Sequence, residues 1–312
     1  MMGGNAPLTR RDAAAFLAVG ASVACGLGRA RAEPSPPPTP GAPAVVPAAR
    51  DETDRMTVPV WLDGHGPYAF IVDTASDHTA LSEEVARALG LPSAGPVVVD
   101  SATGKGPADS VRIARLRVGA REVMGLRTPV FRAEDIGGDG LLGIDALKDQ
   151  NIVMDFRAGQ MTIQPALRGD EPGEVVVSAK SRYGQLVLVD ASIDDEDLYV
   201  VIDTGGEVSI ANSALRALVN RRRQAGDPVG EVISVSGVGA RAEFDTLPHV
   251  RVGGVALSNL LVAYADVHAF ERFGLQGRPA MLLGMDLLRH FDRVSVDFKA
   301  RRVRFLLPQA KS

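Results

Sequence analysis

The sequence predicts a mostly β protein built as two homologous barrel-like lobes, related by an approximate two-fold axis. Three observations carry this expectation. From residue 51 onward one order of elements is written twice, with different loop lengths. Those elements are short, alternating, glycine-punctuated strands with only brief helical stretches between them. Each copy also holds the same two motifs: an Asp-Thr ending an apolar strand and, far downstream, an apolar pair before a glycine.

Taken in order, residues 1–32 read as an export leader. Paired arginines in "TRRD" precede the apolar run "AAAFLAVGASVAC", and "ARA" at 30–32 offers a small-x-small cleavage site. The start resembles a twin-arginine signal, so a periplasmic or secreted bacterial protein is expected. A lipoprotein signal ending at Cys25 is the weaker reading, because Ser22 stands where an aliphatic residue is wanted. The apolar run is too short to span a bilayer, and no membrane segment is expected in the mature chain. Residues 33–50 are rich in proline and are expected to be an extended tether without secondary structure.

The first lobe is expected over 51–164, a linker over 165–180 and the second lobe over 181–312. In the first, "RMTVPVWLDGHGPYAFIVDT" reads as strand, turn, strand; in the second, "GQLVLVDASIDDEDLYVVIDT" has the same plan. A short helix follows each, capped by Ser82 and by Asn212. Alternating strands come next, then "GLLGIDALKD" and "MLLGMDLLRH", each an apolar pair, a glycine, an acid and a short helix. A hairpin closes each copy. Asp145 and Asp286 are expected to start those short helices, where an acid suits the positive helix end. Asp155 and Asp297 are expected to hold hairpin turns, and Trp61 to lie in the core.

Composition narrows the function classes. A formal charge of −4 without a basic stripe argues against nucleic acid. The single cysteine lies in the leader, so neither a disulfide scaffold nor a cysteine metal cluster is expected. Five scattered histidines have no metal-ligand spacing, and neither metal nor cofactor is called for.

One Asp-Thr at a strand end would be a turn cap. Two in equivalent places need another reason. If the lobes pack about a two-fold axis, Asp73 and Asp203 face each other, and two carboxylates in contact share one proton. One then acts as base towards a trapped water and the other as acid towards a substrate carbonyl. "IVDTAS" and "VIDTGG", each followed by an "LLG" element, resemble the retropepsin-like and pepsin-like aspartic proteases. Bacterial proteins with two retropepsin-like units in tandem are the nearest likeness. The resemblance covers almost all of 51–307 and implies retropepsin-like β-barrel lobes, with short helices after each catalytic loop and each LLG element. It implies a peptide or protein substrate, and one chain acting as its own pseudo-dimer, a monomer.

By that resemblance Asp73 and Asp203 are the catalytic pair. Thr74 and Thr204 cross-brace the two loops, and Gly143 and Gly284 let the chain pass close behind them. Flaps are implied too, with candidates at 100–107 (Gly104, Gly106) and 235–240 (Gly237, Gly239). Neither carries the tyrosine of a pepsin-like flap. Ser76 is placed to bond the outer oxygen of Asp73, which Gly206 cannot do for Asp203. The departure from the family pattern is Ala75, where Asp-Thr-Gly or Asp-Ser-Gly is usual and the second copy keeps Gly205. A catalytically weak or inactive peptide-binding module is therefore the alternative to an active endopeptidase.

Overall fold

The computed structural model describes residues 44–51, 55–165, 169, 172–219, 229–234, 237 and 239–308. The expected leader and most of the expected tether fall outside the described residues.

Strand formation follows side-chain alternation. Met56, Val58, Val60 and Leu62 of the strand Met56–Leu62 are buried, and Asp63-Gly64, both at positive φ, turn it into His65–Val72. Positive φ at both central residues matches the right-handed twist of the strands in a two-residue hairpin. The second copy turns through Asp194-Asp195, also at positive φ, where aspartate tolerates the left-handed conformation. Trp61, expected in the core, points to the other face of its strand. It is half-buried under the Arg117 guanidinium, 4.0 Å from the ring centroid.

In the first lobe six strands close a barrel. Met56–Leu62, His65–Val72, Gly140–Leu142, Ala80–Ser82, Arg121–Phe131 and Ser110–Val118 pair in turn, and the last returns to the first. The second lobe repeats the circuit, with its first strand broken into Gln185–Leu188 and Ala191–Ile193. In both, the strand that carries the apolar pair runs parallel to the one ending at the aspartate.

Six short helices interrupt the described strands: α1 (Glu83–Ala88), α2 (Ala133–Ile136), α3 (Ile144–Leu147), α4 (Ser213–Leu218), α5 (His268–Arg272) and α6 (Met285–Leu288). Ser82 Oγ and Asn212 Oδ1 accept the first-turn amides of α1 and α4, and α3 and α6 start directly after Gly143 and Gly284. No helix among the described residues is long and apolar enough to cross a membrane.

A six-stranded antiparallel platform joins the lobes. Its order is Ala44–Pro47, Gln160–Pro165, Gln150–Asp155, Arg293–Asp297, Arg302–Leu306 and Glu174–Arg182. Its centre pairs Ile152 with Val296 and Met154 with Val294, so the two closing hairpins meet edge to edge. The platform corrects two expectations. Residues 44–47, expected in an unstructured tether, pair with 160–163, and Val46 is buried. Residues 174–182, largely placed in the linker, form a nine-residue strand held on both edges. In both cases "AVVP" and "EVVVS" are β-prone stretches whose partners lie over a hundred residues away. Asp155 and Asp297 accept turn amides from Ala158 (2.6 Å) and Ala300 (2.7 Å).

Candidate active site

Each aspartate leaves its strand where the barrel strands stop. Asp73 N donates to Leu142 O (3.1 Å) and Asp203 N to Leu283 O (3.0 Å), so the neighbouring apolar-pair strand fixes each loop's start. Beyond this the chain turns sharply, and the aspartate's own side chain collects the turn's amides. Asp73 Oδ1 accepts from Ala75 N and Ser76 N, both at 2.9 Å. Asp203 Oδ1 accepts from Gly205 N (3.1 Å) and Gly206 N (2.9 Å). Ala75 thus keeps the amide bond that Gly205 makes. The Ser76 hydroxyl, expected on Asp73, instead donates to His78 O (2.9 Å); the backbone amide already serves the carboxylate. That expected asymmetry is absent.

Between the lobes, Thr74 and Thr204 exchange hydrogen bonds. Thr74 N donates to Thr204 Oγ1 (3.0 Å), and Thr204 N to Thr74 Oγ1 (3.3 Å). Their hydroxyls donate onward to Ile202 O (2.8 Å) and Val72 O (2.7 Å) of the opposite lobe. All of this is buried, where an unmade bond is expensive. The loops are consequently tied to each other rather than only to their own barrels.

Close packing explains three glycines. A Cβ on Gly143 would fall 2.5 Å from the His78 carbonyl carbon, and one on Gly284 2.8 Å from that of Val208. At Gly205 it would fall 2.3 Å from Asp73 Cγ, so the Asp73 carboxyl lies directly against the second lobe's aspartate loop.

A second brace stands behind each loop. Thr79 donates to Asp145 Oδ1 through its amide (2.9 Å) and hydroxyl (2.7 Å), while Gly143 N donates to the Thr79 hydroxyl (3.2 Å). Ser209, Asp286 and Gly284 repeat the arrangement at 3.0, 2.6 and 2.9 Å. Asp145 and Asp286 do start helices, but their carboxylates hold the loops. The sequence signal was present in duplicate: a hydroxyl six residues after each aspartate and an acid two after each glycine.

The two carboxylates differ in setting. Asp203 is 9 % exposed, and burial, then the Asp73 charge, pushes it up to about 7 against the Gly206 and Gly205 amides and the Arg55 cation. Asp73, half-buried, is also raised, by burial first, and opposed by the Ala75 and Ser76 amides and by Arg55. The pair therefore retains a proton far above the ordinary carboxylate range.

Both open into a cleft of about 1100 Å³ between the lobes. Ile136 and Leu141 wall it on one side, Ile210 and Leu282 on the other. The first flap candidate is the hairpin Val97–Asp100/Lys105–Ala108, which lies over the cleft. Its tip reaches the second lobe. Ala269 N at α5 donates to Ala102 O (3.1 Å), Thr103 Oγ1 to Ser234 Oγ (2.7 Å), and His268 sits 3.2 Å from Asp100. Gly104 and Gly106 have open space where a Cβ would stand and no positive φ, so neither is required by geometry. Of the second candidate, residues 235, 236 and 238 lie outside the described residues. Gly237 has positive φ, and Gly239 is covered by the Glu231 side chain.

A family model described as aspartyl protease matches residues 58–146 and again residues 189–287, once in each lobe. The chain belongs to the aspartyl protease family. Two tandem retropepsin-like units in one polypeptide account for its duplicated barrels. No curated protein matches the chain. Among the described residues of this aspartyl protease family member, no cluster of His, Cys, Asp or Glu could hold a metal ion.

Proposed function

We propose that the chain is an active aspartic endopeptidase, with Asp73 and Asp203 as its catalytic pair. The observation that carries this reading is the pair itself. Two carboxylates from different lobes line one cleft, braced alike, with burial raising both and the Asp73 charge raising Asp203 further. Asp203, the more buried, keeps that proton and hydrogen-bonds the scissile carbonyl. Asp73, as carboxylate, takes a proton from water while the water oxygen bonds to the carbonyl carbon. Asp203 gives its proton to the carbonyl oxygen as the tetrahedral diol forms. When the C–N bond breaks, the proton held by Asp73 goes to the leaving nitrogen, and a diol proton returns to Asp203. The pair ends as it began.

The cleft's volume of about 1100 Å³, its apolar walls and the overlying hairpin favour an extended peptide. Both loops come from one chain, so the reading includes a monomer. With the twin-arginine-like leader over 1–32 it extends to an exported enzyme, periplasmic or secreted. Ala75 favours a second reading, a peptide-binding module with little turnover.

Digestion of denatured proteins from pH 4 to 8 separates the two. The enzyme reading expects cleavage that vanishes in both Asp73→Asn and Asp203→Asn. Peptide binding without cleavage supports the module, and cleavage unchanged in either variant refutes the assignment of the pair.

A further inference from the structure

The lobes differ beside the pair in a way the duplicated motifs do not explain. Thr57 pairs with Ile71 and Val187 with Val201, each opposite the residue two before its aspartate. By that register Arg55 and Gln185 occupy equivalent positions. Each reaches across to the acid four residues after the other lobe's aspartate. Gln185 Nε2 donates to Asp77 and to Ala75 O (3.1 Å), and Arg55 Nη2 lies 3.9 Å from Glu207. The amide is neutral; the guanidinium is not.

Arg55 is 8 % exposed and held tightly. Its Nε donates to Asp51 (2.7 Å) and its Nη2 to Ile136 O (3.1 Å). Gly137 makes the space, for a Cβ there would fall 2.1 Å from Nη2. A buried cation is costly unless its surroundings offset it. Asp51 does so, and Arg55 lines the same cleft as Asp73 and Asp203, where its charge favours the ionised form of both.

We propose that Arg55 is a positioning residue for the cleavage: fixed in the shared cleft by Asp51 and the Ile136 carbonyl and facing Glu207, it lowers the pH window in which Asp73 and Asp203 hold one proton. This rests on the protease reading above. Other charges also face the cleft. Asp77 and His78 come from the first loop, with Arg272 of α5 on Asp77 and Asp145 beside His78. Arg132 pairs with Glu134 and Asp135 around α2, and Glu231 comes from the strand Val229–Ile233. Arg50 and Asp100 line the cleft too, Asp100 lying beside Lys105 and His268. All remain when Arg55 alone is changed.

A nearby cation favours the ionised carboxylate, so its removal raises both proton affinities. Arg55→Gln installs the residue that the other lobe already uses, and a melt checks that the fold persists. Both limbs of its kcat/KM profile should move to higher pH, by roughly half a unit or more. Glu207→Gln removes the anion facing Arg55 and should move them down, while Arg55→Lys stays near wild type. Carboxyl NMR titration of protein labelled with 13C-aspartate reads the same shifts without turnover. Profiles and titrations that superpose would overturn the proposal. So would shifts of the same sign in Arg55→Gln and Glu207→Gln, or a loss of rate equal at every pH with an unmoved titration. A wild type that never cleaves refutes the protease reading instead, and the NMR titration still decides whether Arg55 governs the proton.

Discussion

Gly205→Ala is the sharpest test of how the two aspartate loops fit. The added methyl carbon would stand 2.3 Å from Asp73 Cγ, 2.4 Å from Oδ2 and 2.8 Å from Oδ1. Carbon atoms in ordinary contact sit about 3.5–4.0 Å apart, so relief needs roughly 1 Å of movement. The main chain of the second loop is fixed by Thr204 and by the Asp203 carboxylate, which leaves the Asp73 carboxyl to give way. Displacement of ~1 Å at a reacting group costs about 100-fold in rate, or ~2.7 kcal/mol of barrier. The assay is kcat/KM on a quenched fluorogenic peptide, with circular dichroism confirming the fold. Ala75→Gly is the control. It restores the usual residue, leaves the amide bond to Asp73 possible, and should keep the rate within about threefold while costing ~0.5–1 kcal/mol of stability through the freer unfolded chain. A folded Gly205→Ala enzyme within threefold of wild type would refute the placement of Asp73 against the second loop.

Three further outcomes follow from the same geometry. With Asp203 at about 7 in the native state and near 3.9 unfolded, the native chain binds the extra proton between those values, so stability falls as pH rises through that window. Asp203→Asn should therefore gain on wild type by ~2–4 kcal/mol between pH 4 and 7.5 in denaturant titrations, and a gap independent of pH would refute this. Thr204→Val strands the Thr74 amide and the Val72 carbonyl in a buried site, and should cost ~2–4 kcal/mol in the same measurement; a loss under 1 kcal/mol would mean that the cross-brace is dispensable. Nine carboxylates against four arginines line the cleft, so lysine-bearing peptides should show lower KM than glutamate-bearing ones, with the difference shrinking as salt rises. Equal KM values at low salt would count against that field.

Much of the fold was legible because it depends on local rules repeated. Alternation in Met56–Leu62, the Asp63-Gly64 turn and the Ser82 and Asn212 caps each act within a few residues. Duplication then turned a weak Asp-Thr signal into a specific one. What escaped depends on distant partners. "AVVP" at 44–47 becomes a strand only against 160–163, and "EVVVS" only against the chain's last strand. Asp145 offered one bland local role, the start of its helix, and its bond to Thr79 appears only once the apolar-pair strand has been threaded beside the loop. Ser76 failed for the opposite reason. A hydroxyl near a carboxylate looked like a partner, but the sharp turn delivers a backbone amide there first.

The symmetry and its breaches divide the work between them. Features that place the carboxylates are duplicated almost bond for bond: the amides on each aspartate, the threonine exchange, and the hydroxyl–acid brace behind each glycine. Features that decide charge are not. Asp77 is bound by Arg272 and Gln185, whereas Glu207, its counterpart, faces Arg55 at 3.9 Å and is half exposed. Geometry at a shared-proton site gains from symmetry, because each loop then braces the other with the same bonds. The proposed chemistry gains from its absence, since in it a single proton sits on one partner while the other accepts from water. A homodimer has to break that equivalence with its substrate. Two copies in one chain can diverge at single residues, and the exchange of arginine for glutamine at 55 and 185 does so without touching the duplicated frame.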